Sequence, residues 1–407
     1  MGIDDRAPDN ITVCYLLHNN METDELITHY FHLGLSHKEI CLHLENHQVY
    51  INIRTLKRKL NKLNLCRRIN FSPYNDVYQF IETQIHGSSQ LHGYKWMHRK
   101  CLNVGLVVTQ STVSEILHVI DTIGIEVRKK KKLRRRQYNN KGPNFLWHTD
   151  CYDKLKPFGI AISGCIDGFS RFIIWMEAVP SCNDPKIISG FFFNAVRELG
   201  GCPRTIRADA GTENRHIEQI QTFFHRKVAS SRPPFIYGTS PANQRIEAFW
   251  SILRKHNSQF WMNLFHKLQE DGHFSSSWLD KNLIRFCFMD IIRKELNDVV
   301  LEWNSHKIRK SKNSISPSGR PMTMFKMPQH YSTESYLKYV DEKDLEVCEE
   351  ECIFNTHITF DETLNEICQI IITEENLNVT NDPYELVNIY IKLRNTILMN
   401  VENRQNQ

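Results

Sequence analysis

The sequence predicts an α/β fold, a mixed five-stranded sheet flanked by helices and preceded by all-α helix-turn-helix modules. Three observations predict it. Short β-rich runs follow one another after residue 144, helical periodicities then alternate with two more short strands, and the segments before residue 128 show helical spacing instead.

A chain of 407 residues is too long for one average core and suggests two or three domains. Its 41% hydrophobic and 24% charged content lies in the globular range. The net charge of +5 averages a basic N-terminal half against an acidic stretch at 341–351, an asymmetry that hints at a nucleic-acid partner. The Met1 start lacks a signal pattern and no stretch approaches the ~20 apolar residues that span a bilayer, so an intracellular chain without a membrane partner is expected. The twelve cysteines form no Cys-x-x-Cys pair and read as reduced thiols. His29, His32, His37, His43 and His47 invite comparison with a His-His-Cys-Cys zinc module, but its closely spaced cysteines are absent and zinc is not expected.

Residues 24–65, within a module placed at 20–70, read as a helix-turn-helix. Gly34 breaks a first helix, Ser36 and Glu39 form a capping box, and a second helix runs to about Glu45. A third helix places Ile53, Leu56, Leu60 and Leu63 on one face, with Arg54, Lys57, Arg58, Asn61 and Lys62 on the others. That is the profile of a helix lying on DNA, although a merely solvated basic face gives the same pattern. A second helical module, 78–127, is seeded by Tyr94, Met97 and Cys101, turned by Gly105, and continued by Val113, Ile116, Leu117 and Ile120 after Ser111. Two such modules suggest bipartite reading of DNA. In 128–136 every residue except Leu133 is Lys or Arg, so 128–143 is expected to be a basic arm on nucleic acid, a nuclear import signal, or both.

From Phe145 the pattern becomes strands at 145–151, 159–167 and 172–179, with turns at Lys156-Pro157 and Gly168 to Arg171. A helix at 185–199, a strand at 205–208, a helix at 217–226, a strand at 233–237 and a helix after Ser240-Pro241 complete the series. This is the RNase H-like order, and the domain is placed at 144–325 with a helical extension that includes long patterns over 260–301. Beyond about Ser332 the chain is acidic, and 332–407 is a region of unknown role.

Three carboxylates fall at telling places: Asp150 on the first strand, Asp209 ending the fourth, and Glu247 on the last helix. Two divalent ions about 4 Å apart can stabilise the attacking and leaving oxygens of phosphodiester chemistry, and Mg²⁺ demands hard oxygen ligands on rigid elements. Ile246, Phe249, Trp250 and Leu253 form a buried stripe, with Glu247 beside it and Ser251 and Arg254 on the Glu247 face. From this helix alone, Glu247 reads rather as half of an ordinary helix salt bridge.

The segments Trp147-His148-Thr149-Asp150, Ile166 to Arg171, Arg207-Ala208-Asp209-Ala210-Gly211-Thr212-Glu213-Asn214 and Ser240 to Trp250 together resemble the integrase catalytic core of retroviral and retrotransposon integrases and integrase-like transposases. The resemblance implies that Asp150, Asp209 and Glu247 are catalytic and hold two Mg²⁺ or Mn²⁺ ions. It implies a DDE enzyme that cleaves and joins DNA ends in the nucleus as a homo-oligomer on DNA, without a small-molecule cofactor. Ala210 stands where Asn is common, and the second interval is slightly long, consistent with an insertion near 226–231. Asp167 is expected to support its turn through Ser170 and Arg171, and Asp153 is the reserve should Asp150 point away. DNA contact is assigned to Arg54, Lys57, Arg58, Lys129, Lys130, Lys131, Lys132, Arg134, Arg135, Arg136 and Arg254. Trp303 to Arg309 resembles the post-catalytic segment of integrase-like transposons, with a Pro-rich turn at 316–321. Two other readings stay open: a domesticated DNA-binding descendant without turnover, and an RNase H-type nuclease.

Replacing Lys129 to Lys132 with Ala tests the arm. Each phosphate contact contributes about 0.9 to the slope of log affinity against log salt, so the slope should flatten by up to ~3 to 4, almost equally on every DNA sequence. An unchanged slope leaves the arm as an import signal alone.

Overall fold

A computed structural model of the chain describes residues 22–67, 71–120, 140–227, 232–238, 242–310, 316–354 and 361–405. The basic run 128–136 lies outside the described residues, as do Ser240 and Pro241.

Helices α1 (Thr23–His32), α2 (His37–Glu45) and α3 (Ile53–Lys62) form the first unit. Gly34 takes a left-handed φ of 69° after α1, and the Ser36 hydroxyl and Glu39 carboxylate complete a reciprocal capping box at α2. On α3, Leu56 and Leu60 are buried, whereas Ile53, expected beside them, is 44% exposed. It stands at the first position of the helix, where the core no longer reaches. Arg54, Lys57 and Arg58 are exposed. A second unit, α4 (Tyr74–His86), α5 (Tyr94–Asn103) and α6 (Gln110–Ile120), encloses its own small core of Val77, Ile81, Met97, Cys101, Val113, Ile116 and Leu117.

The sheet consists of β1 (Trp147–Tyr152), β2 (Ala161–Asp167), β3 (Ile173–Val179), β5 (Ile206–Asp209) and β6 (Phe235–Gly238), while the short β4 (Gly201–Cys202) stands outside it. The order is β3-β2-β1-β5-β6. β1 pairs antiparallel with β2, and β2 with β3, whereas β5 runs parallel to both β1 and β6. Short loops make the meander, and α7 (Pro185–Leu199) and α8 (Arg215–His225) provide the crossovers that parallel pairing needs. This is an RNase H-like sheet.

Both faces are covered. One core joins the sheet to α7, α8 and the first helical unit. The other joins it to α9 (Gln244–Leu253), α10 (Gln259–Glu270) and α11 (Trp278–Ser305). Asn304 on α11 accepts from the Ile173 amide at 2.8 Å and donates to the Ile173 carbonyl at 3.2 Å, which satisfies the edge of β3. The Trp303 indole donates to the Arg171 carbonyl at 2.7 Å, so Trp303 and Asn304 together close the sheet edge.

The acidic region packs on the same body. β7 (Lys338–Tyr339) pairs with β4, and α13 (Glu342–Glu349) follows the short α12 (Pro321–Lys326) and lies against α7. Further on, α14 (Glu362–Glu374) and α15 (Pro383–Gln405) cover α11. Asp280, wholly buried, ties this cap down: it accepts from Arg394 Nε at 2.7 Å and from the Ser275 amide and hydroxyl at 2.5 and 2.6 Å.

Arg394→Met should therefore destabilise the chain by about 3 kcal/mol in urea unfolding, because it leaves a buried carboxylate without its cation. A loss below about 0.5 kcal/mol would show that the cap is held by apolar contacts alone. Burial alone would raise the Asp280 pKa, but the Ser275 donors and Arg394 outweigh it and the carboxyl lies below its ordinary value. A depressed folded pKa contributes stability that is fully present above the unfolded pKa of about 3.9 and is lost as pH falls through the lower, folded one. Acid unfolding of wild type should thus steepen below about pH 4, and Asp280→Asn should remove that component.

Candidate active site

β1 and β5 run side by side, with His148 aligned with Arg207. Two residues farther along each strand stand Asp150 and Asp209, at the carboxyl ends of the parallel pair where an open α/β sheet presents its crevice. Glu247 lies in the first turn of α9, whose Ile246, Phe249, Trp250 and Leu253 are all buried. α9 packs on β1 and β2.

A buried linkage fixes α9 against β1. Asn243, immediately before α9, accepts from His148 Nδ1 at 2.7 Å and donates to the Thr149 carbonyl at 2.8 Å. All three residues are essentially inaccessible to solvent. Burial pushes the His148 ring down to about 3, so it is a neutral donor at any ordinary pH. The strand that carries Asp150 and the helix that carries Glu247 are thus joined within two residues of Asp150 and four of Glu247.

The three carboxylates share one electrostatic field. Burial is the largest cause that pushes Asp150 up to about 7; the Trp250 indole opposes it, while the charges of Asp209 and Glu247 add to it. Asp209 is raised too, first by burial and then by Glu247 and Glu213. Its Oδ1 is shielded from solvent and has no hydrogen-bond partner. Among the described residues no three His, Cys, Asp or Glu side chains converge closely enough to enclose one ion. The site is a set of like charges on neighbouring elements.

The other sequence candidates fall elsewhere. Asp153 is exposed and paired with Lys156 at 3.0 Å. Asp167 is buried inside its turn, where it accepts from the Asn144, Phe169 and Ser170 amides and the Ser170 hydroxyl. Arg254 is exposed just beyond α9, with its Nε on Gln259 at 2.9 Å, and Arg54, Lys57 and Arg58 lie on a different unit. Sequence reasoning missed Asn243, Trp250 as a polar partner, and Glu213, which folds back over Gly211 beside Asp209. Trp250 and Asn243 flank Glu247 in the chain, but an apolar stripe hides an indole N–H and a cap hides a tertiary bond.

Asn243→Ala should destabilise the chain by about 3 kcal/mol, because it leaves His148 Nδ1 and the Thr149 carbonyl both buried without their partner. Urea midpoints measure this; a change within about 0.5 kcal/mol would mean that the helix holds its place without the linkage.

The integrase core domain model matches residues 137–327, which include all three carboxylates and the Asn243 linkage. No curated protein matches the chain. The RNase H-like sheet, the carboxylates at its parallel strand ends and this match agree that residues 137–327 are similar to an integrase core domain.

Proposed function

We propose that the chain is a metal-dependent DNA strand-transfer enzyme in which Asp150, Asp209 and Glu247 are the catalytic carboxylates. The observation that carries this reading is the shared field of these three groups, with one Asp209 oxygen shielded and unpartnered, inside a region similar to an integrase core domain. The donors are all hard carboxylate oxygens, which suits Mg²⁺ or Mn²⁺. Two such ions, when bound, supply Lewis acidity for the attacking and leaving oxygens of an in-line displacement. Asp150 and Asp209 present their oxygens from adjacent rigid strands, and Glu247 closes the set from a helix that the Asn243 linkage keeps in place.

DNA affinity is assigned to exposed cations away from the carboxylates. Arg54, Lys57 and Arg58 on α3 suit the recognition helix of a helix-turn-helix, and Lys59 beside them is engaged by Asp24 at 2.5 Å. Two cations of the second unit are turned inward, Arg99 on the Leu33 carbonyl and Lys100 on Gln84 and Ser89, while Lys95 stays exposed. This unit therefore serves better as a spacer than as a second basic reader. The arm adds sequence-independent affinity and an import signal for the nucleus, and assembly of copies on DNA follows from the need to act on paired ends.

Purified chain should nick and join DNA ends with Mg²⁺ or Mn²⁺. Asp150→Asn and Glu247→Gln should each lower the rate by more than about a hundredfold while DNA binding stays within about twofold, since a near-isosteric amide is a poor ligand for a hard cation. Equal activity of wild type and Asp150→Asn sinks the enzyme reading. Specific binding by wild type without any joining would support a domesticated DNA-binding protein, and cleavage of RNA·DNA hybrids faster than DNA joining would support an RNase H-type nuclease.

A further inference from the structure

We infer that Trp250 is a positioning residue for Asp150, holding one carboxylate oxygen by its indole N–H so that the other is left for a divalent cation. This rests on the metal-dependent reading above. The Trp250 Nε1 donates to Asp150 Oδ2 at 2.7 Å. Trp250 itself is 6% exposed and lies 5.3 Å from the Tyr152 ring, whose hydroxyl accepts from Ser258 at 2.9 Å, so the indole is held by its surroundings.

The seat for this indole is built into the sheet. Gly164 on β2 stands directly opposite Asp150 in the register. A Cβ added there would lie 2.6 Å from Trp250 Cη2 and 3.0 Å from Met176 Cε. Glycine weakens a strand interior and often marks a close approach, and here the approaching group is the indole that reaches Asp150. Trp250 and Glu247 are three residues apart on α9, neighbours on a helical surface. One turn of helix thus delivers both a carboxylate of the site and the donor that orients another.

A carboxylate free to rotate must be ordered when a cation binds, whereas one fixed by a neighbour is ordered beforehand. Partners of this kind typically alter metal affinity by about 10- to 100-fold. The bland alternative is that the Asp150 oxygen merely satisfies a buried indole N–H.

Mn²⁺ binding to the full chain, read from the electron paramagnetic resonance of free Mn²⁺, separates the two. Trp250→Phe keeps a ring and removes the donor; it should weaken Mn²⁺ binding about tenfold and leave the metal-free melting temperature within a few degrees. In an Asp150→Asn background the same change should have no further effect, because Trp250 acts through Asp150. Gly164→Ala, which displaces the indole without removing any donor, should reproduce the loss and provides the test should Trp250→Phe not fold. Wild-type affinity in Trp250→Phe, or an equal loss with and without Asp150, overturns the proposal. Absence of Mn²⁺ binding by wild type overturns the metal-dependent reading along with it.

Discussion

Three carboxylates at one edge of the sheet repel each other, and the rest of the molecule has to hold them there against that repulsion. Burial raises the cost of ionising Asp150 and Asp209, the charges of Asp209 and Glu247 add to it at Asp150, and that of Glu247 adds to it at Asp209. The restraint comes from packing and hydrogen bonds on rigid elements. β1 is paired on both sides, α9 inserts Ile246, Phe249 and Leu253 into a core shared with α10 and α11, and Asn243 ties helix to strand. The same repulsion would favour a cation placed among the three carboxylates, as the proposed function requires.

The same body also carries the first helical unit in a fixed place. Three arginines from three parts of the chain converge on the carboxyl end of α1: Arg67 donates to the Phe31 carbonyl, Arg99 to Leu33 and Arg320 to Gly34. The end of a helix leaves carbonyls unsatisfied and carries partial negative charge, which cations relieve. Arg320, nearly buried, also meets Glu39, so the capping box of α2 is joined to the turn that precedes α12. The exposed basic face of α3 is thereby held at a set position relative to the carboxylates.

Much of this was legible in the sequence. Alternation and turn residues located the meander, Pro185 and Gly200 bounded α7, and the stripe through Leu253 located α9 with Glu247 at its edge. What escaped depends on contacts distant in sequence. Ile53 fits the period of α3 but sits at its first position, where the core no longer reaches. β4 is two residues long and exists only because β7 pairs with it, more than 130 residues away. Gly164 makes room for Trp250 on β2 and Arg99 reaches a carbonyl of the other unit, contacts that no local pattern in the chain reveals. Periodicity reports which face is buried, and it is silent on what a buried polar atom touches.

Charge shows the same limit and leads to the last step. Composition suggests a basic half opposed to an acidic tail, yet the acidic residues of α13 and the following turn lie on the core's own cations. Asp344 meets Arg226 at 2.6 Å, Glu349 meets Arg197 at 2.8 Å and Glu351 meets Lys186 at 3.5 Å. Partly exposed pairs like these add little stability each, so the segment is anchored by Leu345, Cys348 and the Ile353 backbone, whose carbonyl would be 2.1 Å from a Cβ at Gly190. The pairs act instead on the surface potential: they offset cations of α7 and of the end of α8. Arg54, Lys57 and Arg58 on α3, by contrast, stay exposed, and a basic helix face left open in this way is what the proposed DNA contact requires.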